Sequence, residues 1–330
     1  MYLVDHKPKF TLDSGERYFC LGSCFARNIE EHLIYAGETV LSKRIVSPKG
    51  EYPYRTNGFV NQFTTYSMLQ EVEWLFKAPD PLDTCFVETA NGWIDMHLFG
   101  NELSLERVRE RRRYLLQDYF SRLRDSTVVL LTLGLNEVWR DGHTGMNINV
   151  APSVWTVRRY SERFTLHVTD VAENLDALEQ LRSRLKALRP ELRIIITVSP
   201  VPMTETFQGI DVALANNLSK TVLRSAAEAF HRRHDDVDYF PSYEMVALAP
   251  RSFSYYPDFV HVNDSVVNII VTRFISAYRG KLIAPPEGYV ERDYLNANPD
   301  VEARVRNGEL VCGYEHWLSI GRKEGRRMVP

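Results

Sequence analysis

Cysteine is scarce in this chain. Cys20, Cys24, Cys85 and Cys312 are the four among 330 residues, and no two form a Cys-x-x-Cys pair. That excludes a disulfide framework, a zinc ribbon and thioredoxin-type chemistry. No run of about 18 apolar residues occurs, so no membrane-spanning helix is expected. Residues 1–16 are polar and lack the apolar centre of a secretion signal. These absences lead to the expectation of a soluble, cytoplasmic protein with no metal site. A charge excess is missing too: 40 Lys and Arg stand against 43 Asp and Glu, a net charge of -3. Such a balance argues against a general nucleic-acid binder. Glycine-rich phosphate loops, His-Glu-x-x-His and Gly-x-Ser-x-Gly are also absent.

What is present belongs to a folded protein. Hydrophobic residues make 44%, aromatics 12% and charged residues 25% of the chain, values typical of globular domains. Residues 17–22 (Arg-Tyr-Phe-Cys-Leu-Gly) read as a short buried strand. Residues 25–35 read as a helix, because Phe25, Ile29 and Leu33 recur at i, i+4 and i+8. Residues 127–133 and 193–199 are continuous apolar runs of strand length, the pattern of parallel strands buried on both faces. Between them Asp170 and Glu173 have the spacing of a capping box. Val171, Leu175, Leu178, Leu181, Leu185 and Leu188 then line one helical face. Strand, helix and strand at this spacing predict a βαβ unit. Further helices are expected at 67–77, 105–123, 212–234 and 264–278, the last capped by Asp264 or Ser265. A short strand is expected at 237–240 and a long loop at 48–66.

The fold class is therefore α/β, a sheet between helices. Ligands in such folds bind beyond the carboxyl ends of the strands. That points to Ser23 and Cys24, to residues 134–137 and to residues 199–204. A composition break at Ala284-Pro285-Pro286-Glu287-Gly288 predicts a boundary between a main domain, 1–284, and a small helical unit, 285–330.

Three stretches have chemical content. Gly22-Ser23-Cys24 places a nucleophile at a strand-to-helix turn, where the positive helix end can lower a thiol pKa or receive an oxyanion. Gly134-Leu135-Asn136-Glu137 follows the strongest strand, and an amide there can donate to an oxyanion. In Asp258-Phe259-Val260-His261 the acid can orient the imidazole, whose other nitrogen acts as base. Each alone has a structural explanation: a small-residue turn, a Gly-Asn turn, a turn acid beside a hydrogen-bonded histidine.

Taken together, the ordered set resembles the SGNH (GDSL-like) hydrolase superfamily. More specifically, the chain resembles the GSCFA family, whose motif stands here as Gly22 to Ala26. The resemblance continues through Asn61-Gln62-Phe63-Thr64-Thr65-Tyr66, Gly134 to Glu137, Ser199-Pro200-Val201-Pro202, Ser219-Lys220, Pro241-Ser242-Tyr243-Glu244 and Asp258 to Asn263, over roughly residues 15–280. It implies a flavodoxin-like three-layer α/β/α sandwich with a parallel sheet and an acyl-transfer site. By that pattern Asn136 is an oxyanion donor, His261 the base and Asp258 its partner. Gly58 and Asn61 are candidates for a second oxyanion position. Position in the motif selects Cys24 as nucleophile, and chemistry by analogy selects Ser23. The implied activity is an esterase or O-acyltransferase, acting on an acetyl ester of a carbohydrate. The esterase requires no cofactor, and the transferase would take acetyl-CoA. The rival is a glycan-binding protein without turnover.

Other features are secondary. Lys220 reads as a surface lysine, the alternative being contact with an anionic group; with Gly134 it completes the substrate-binding candidates. Arg107, Arg109, Arg111, Arg112 and Arg113, laced with Glu106 and Glu110, read as a solvated helix face, with anion binding as the alternative. Trp93, Asp95 and His97 alternate as on a strand and would share a face, in a sugar pocket or in aromatic packing. The tail (294–301, 314–318 and 321–326) is similar to a short helical module seen on bacterial glycan-related proteins, which implies docking to a glycan-synthesis partner.

Overall fold

The computed structural model describes residues 4–46, 51–52, 58–77, 85–280, 290–306 and 313–329. Strand β1 (Arg17–Gly22) shows why a sheet covered on both sides forms. Phe19 and Leu21 point into one apolar cluster, Tyr18 and Cys20 into another, and all four are buried. A strand with two apolar faces must be covered twice. β1 pairs in parallel with β2 (Thr39–Val40) on one side and β5 (Val128–Leu133) on the other. β5 pairs with β9 (Arg193–Val198), and β9 with β10 (Val237–Tyr239), both in parallel. The sheet order is β10-β9-β5-β1-β2.

Helices α1 (Cys24–Tyr35) and α9 (Asp264–Arg279) cover one face, through Phe25, Ile29, Leu33, Ile270 and Phe274. Helices α2 (Thr65–Trp74), α5 (Val171–Leu188) and α6 (Val212–Arg233) cover the other, through Met68, Leu178, Leu181, Leu223 and Phe230. This is the expected three-layer sandwich. The strand order reverses between β1 and β5, and at such a switch point a crevice opens beyond the strand ends.

The α5 capping box forms as the spacing predicts: Glu173 N donates to Asp170 Oδ1 at 2.8 Å and Asp170 N to Glu173 Oε2 at 2.9 Å. The cap of α9 is Asn263, not Asp264 or Ser265; its Oδ1 accepts from Ser265 N at 3.0 Å. The 105–123 helix is α-helical only over α3 (Leu105–Tyr114), then widens into a π turn and tightens into a 3₁₀ turn. A hairpin of β3 (Phe86–Glu88) and β4 (Trp93–Asp95) precedes it. The βαβ unit holds an unforeseen insertion. Between β5 and α5 the chain forms an antiparallel sheet of β6 (Glu137–Asp141), β7 (Asn147–Ile148) and β8 (Phe164–Val168), with helix α4 (Val154–Arg159). Its strands are short and carry charged residues, so they leave no apolar run to read. Helices α7 (Ser242–Ala247) and α8 (Arg251–Ser254) lead from β10 towards α9.

The expected boundary at 284/285 lies outside the described residues. Beyond it, α10 (Glu291–Ala297), α11 (Pro299–Arg306) and α12 (Gly313–His316) gather around Tyr294 and Val301, and Tyr294 Oη lies 2.9 Å from His316 Nδ1. No described helix is long and apolar enough to cross a membrane.

The arginine face is not uniformly solvated. Arg112 is buried, its Nε donating to Asp95 Oδ2 at 2.7 Å and its Nη1 to Glu71 Oε2 at 2.6 Å. Its guanidinium also lies 4.7 Å from the Trp74 ring centroid. Arg111 is buried as well, against the ring of Phe59. A helix lying between a hairpin and the core has a second inward stripe, which charge patterning alone does not reveal. Burial pushes Glu71 up to about 7, against the pull of Arg112. Burial opposes ionisation of Asp95 too, but Arg112 outweighs it and holds that carboxyl below its usual range. Asp95 and His97 are fully buried here, and β4 ends at Asp95, so the alternation that suggested a sugar pocket builds a core instead. Replacing Arg112 by Ala strands two buried carboxyl groups and is expected to cost about 3–5 kcal/mol, read from urea unfolding.

Candidate active site

The site begins with a backbone constraint. Gly22 has φ +153°, and a Cβ there would overlap Thr132 Oγ1. Only glycine lets β1 and β5 approach this closely while the chain turns. Ser23 follows as the N-cap of α1, though its hydroxyl makes no cap hydrogen bond. Ser23 is buried, whereas Cys24 is partly exposed. The register pairs Gly22 with Thr132, so Cys24 and Gly134, each two residues further on, emerge at the same sheet edge.

Segment 61–66 packs over this edge. Gln62 N donates to Gly22 O at 2.9 Å, and Leu135 N to Phe63 O at 2.8 Å. Thr64 caps α2, and Thr65 Oγ1 donates to Asn174 Oδ1 at 2.8 Å.

The third element is the turn before α9. Asp258 Oδ1 accepts from Val260 N at 2.9 Å and His261 N at 3.0 Å, and His261 Nδ1–H donates to Asp258 Oδ2 at 2.6 Å. The imidazole N–H and the two backbone N–H groups hold the Asp258 carboxyl well down, at about 2. Phe259 takes φ +55° to close the turn. With Nδ1 occupied as donor, Nε2 is the basic nitrogen of His261.

Ser23, Cys24, Gly134 and His261 line one cavity of about 500 Å³. Phe63, Phe99, Trp139 and Phe207 give it aromatic walls. Glu137 fastens the outer wall, accepting from Gln208 Nε2 at 2.8 Å, from Phe207 N at 3.3 Å and from Thr206 Oγ1. Asn149 fastens the inner one: Phe63 N donates to its Oδ1 at 2.9 Å, and its Nδ2 donates to Asn61 O at 2.7 Å. No group of metal-ligating side chains occurs among the described residues.

Three expectations change. Asn136 is fully buried and does not line the cavity; its Nδ2 donates to Thr169 O at 3.1 Å, and its backbone N to Ser219 Oγ at 3.1 Å. The amide braces the ends of β5 and β8, a contact created by the insertion, and lies outside the cavity lining where an oxyanion donor was expected. Gly58 and Asn61 are likewise buried outside the cavity lining, and Asn61 O accepts from Asn149 Nδ2, a lining residue. Lys220 is not a surface lysine: it is 2% exposed, and its Nζ donates to Gly134 O at 2.9 Å. Burial pushes its ammonium down to about 7, opposed by the charge of Cys24. Sequence reasoning missed Glu137 as a clasp, Asn149, and the aromatics Phe99, Trp139 and Phe207. Only the insertion and the crossing loops assemble these, and no local motif marks them.

The family profile described as the GSCFA family matches residues 17–274. The chain belongs to that family. No curated protein matches it. Among solved structures it is similar to a mutant acetyl esterase with a bound acetate ion, at 11% identity and TM-score 0.35 over 78% of this chain and 92% of that one. It is also similar to a family 3 carbohydrate esterase from Talaromyces cellulolyticus, at 11% identity and TM-score 0.36 over 78% and 94%. A family 3 carbohydrate esterase from Clostridium thermocellum is similar at 9% identity and TM-score 0.31 over 79% and 94%. Identities and scores this low leave the chemistry to the residues themselves.

As a brace, Asn136 makes a distinct prediction. Asn136→Ala leaves the Thr169 carbonyl without that donor and is expected to cost about 1–3 kcal/mol in urea unfolding. Cys24 should keep its reactivity toward iodoacetamide in the folded variant.

Proposed function

We propose that this protein is an acyl-transfer enzyme of the SGNH type, an esterase that cleaves an acetyl ester on a carbohydrate through Cys24. The observation that carries this reading is the Asp258–His261 pair, 2.6 Å apart, on the same cavity as Cys24. A carboxylate on Nδ1 fixes the tautomer that leaves Nε2 free to take a proton. Cys24 is preferred over Ser23 because it is the more exposed of the two and stands at the first position of α1. There the helix dipole favours a thiolate.

In the first step His261 takes the thiol proton as sulfur attacks the ester carbonyl. The oxyanion lies towards the N-terminus of α1, whose backbone N–H groups are its donors. The C–O bond breaks, His261 returns the proton to the departing sugar hydroxyl, and an acyl thioester remains on Cys24. Water attacks the thioester with His261 again as base, releasing the acid and restoring the thiol. Aromatic walls with Ser23, Asn149, Ser199 and Thr204 among the lining fit a sugar ring, which offers apolar C–H faces and hydroxyl edges.

The same residues would serve an O-acyltransferase if an acceptor hydroxyl replaced water, with acetyl-CoA as donor. The arginine-rich helix offers less to such a donor than its sequence implies, because Arg111 and Arg112 are buried and Arg107 pairs with Glu51 and Glu110. Saturating acetyl-CoA is expected to leave the melting temperature unchanged, and a clear upward shift would favour the transferase. The tail remains a proposed docking module for a partner in glycan synthesis.

The central test is hydrolysis of an acetylated oligosaccharide. Cys24→Ala and His261→Ala are each expected to reduce turnover by at least about 10³-fold, whereas Ser23→Ala keeps most of it. Full activity in Cys24→Ala with loss in Ser23→Ala would move the nucleophile to Ser23. Stoichiometric sugar binding without turnover in the wild type would favour the glycan-binding alternative.

A further inference from the structure

Lys220 is the charged group that the proposed reaction leaves unused. It projects from α6, on the face of the sheet opposite α1, and reaches the sheet edge from beneath. Its Nζ is anchored on Gly134 O at 2.9 Å. Gly134 emerges beside Cys24 because Gly22 and Thr132 are paired. Both residues line the cavity, and Lys220 is buried below it. Burying an amine at a sheet edge is costly unless a charge nearby compensates.

We infer that Lys220 is a positioning residue: a buried cation, held by the Gly134 carbonyl, that stabilises Cys24 as a thiolate once the thiol proton has left. This rests on the reading of Cys24 as nucleophile, but not on the identity of the ester. The pair works in both directions. Burial pushes the Lys220 ammonium down to about 7, and the Cys24 charge pulls it back. A thiolate therefore keeps the ammonium charged, and the ammonium favours the thiolate.

Most other charged groups around Cys24 have partners of their own. On α1, Arg27 and Glu30 form a buried pair at 2.9 Å, and Arg27 Nη2 donates to Cys20 O at 2.6 Å. His261 faces the cavity from the turn before α9 and is tied to Asp258. Glu137, on β6, is held by Thr206 and Gln208, and Glu205, exposed on the loop after β9, lines the same cavity as the carboxylate of opposite sign to Lys220. Lys220 is thus the cation supplied from the buried side, and His261 the group supplied from the open side.

The test reads thiol charge directly and needs no substrate. In the full chain, alkylation of Cys24 by iodoacetamide is followed against pH by peptide mass spectrometry. Continued protection of Cys20 and Cys85 reports an intact fold. Lys220→Gln keeps a donor for Gly134 O and removes the charge; Lys220→Met removes both. Each is expected to raise the Cys24 midpoint by about one pH unit or more. An unchanged midpoint in either folded variant overturns the inference. If neither variant folds, the wild type decides. A neighbouring cation speeds alkylation by anionic iodoacetate relative to neutral iodoacetamide, compared with the same ratio for free cysteine. A ratio at or below that of free cysteine overturns the inference. An esterase assay that fails while the midpoint shifts would sink the proposed activity and leave the Lys220–Cys24 pairing standing.

Discussion

The site depends on how closely two parallel strands approach at one point. Gly22 and Thr132 lie so near that no side chain fits at position 22. That contact places two chain ends, Ser23-Cys24 and Gly134-Leu135, side by side where the strand order reverses. It also frees the first turn of α1 to face the cavity. A larger residue at 22 would push β1 from β5 and separate Cys24 from the carbonyl that anchors Lys220.

Around this edge the chain arranges charge by depth. Asp258 and His261 are exposed, where solvent can exchange protons with the imidazole. Lys220 is buried, where a charge persists only with a partner. On the proposed reading, a thiol between an exposed base and a buried cation has a route for its proton and a counterion for the anion it becomes. The Glu71–Arg112–Asp95 cluster resembles this in chemistry but not in access. Its cation is satisfied by two buried carboxyl groups, so it ties the 85–112 region to α2 and takes no part in the cavity.

The insertion between β5 and α5 separates a plain sandwich from a built pocket. Its Trp139 stands against Phe207 with ring centroids 5.3 Å apart, and its Asn149 holds the 61–63 segment. The same insertion turns Asn136 away from the cavity, because β8 brings the Thr169 carbonyl within reach of its amide. Motif position placed Asn136 near the site, but the nearest hydrogen-bond acceptor decided its role.

Local signals were enough for the sandwich. The apolar runs of β5 and β9, the period of α5 and the Asp170 capping box are short-range patterns whose physics is complete within a few residues. The Asp258-x-x-His261 contact was legible for the same reason, since both partners lie in one turn. The burial of Lys220, the second inward stripe of α3, the aromatic walls and the reassignment of Asn136 were not legible. Each depends on which distant element covers a side chain. Burial of a charge is a property of the assembled neighbourhood, and the residues that create it are spread from 61 to 261 along the chain.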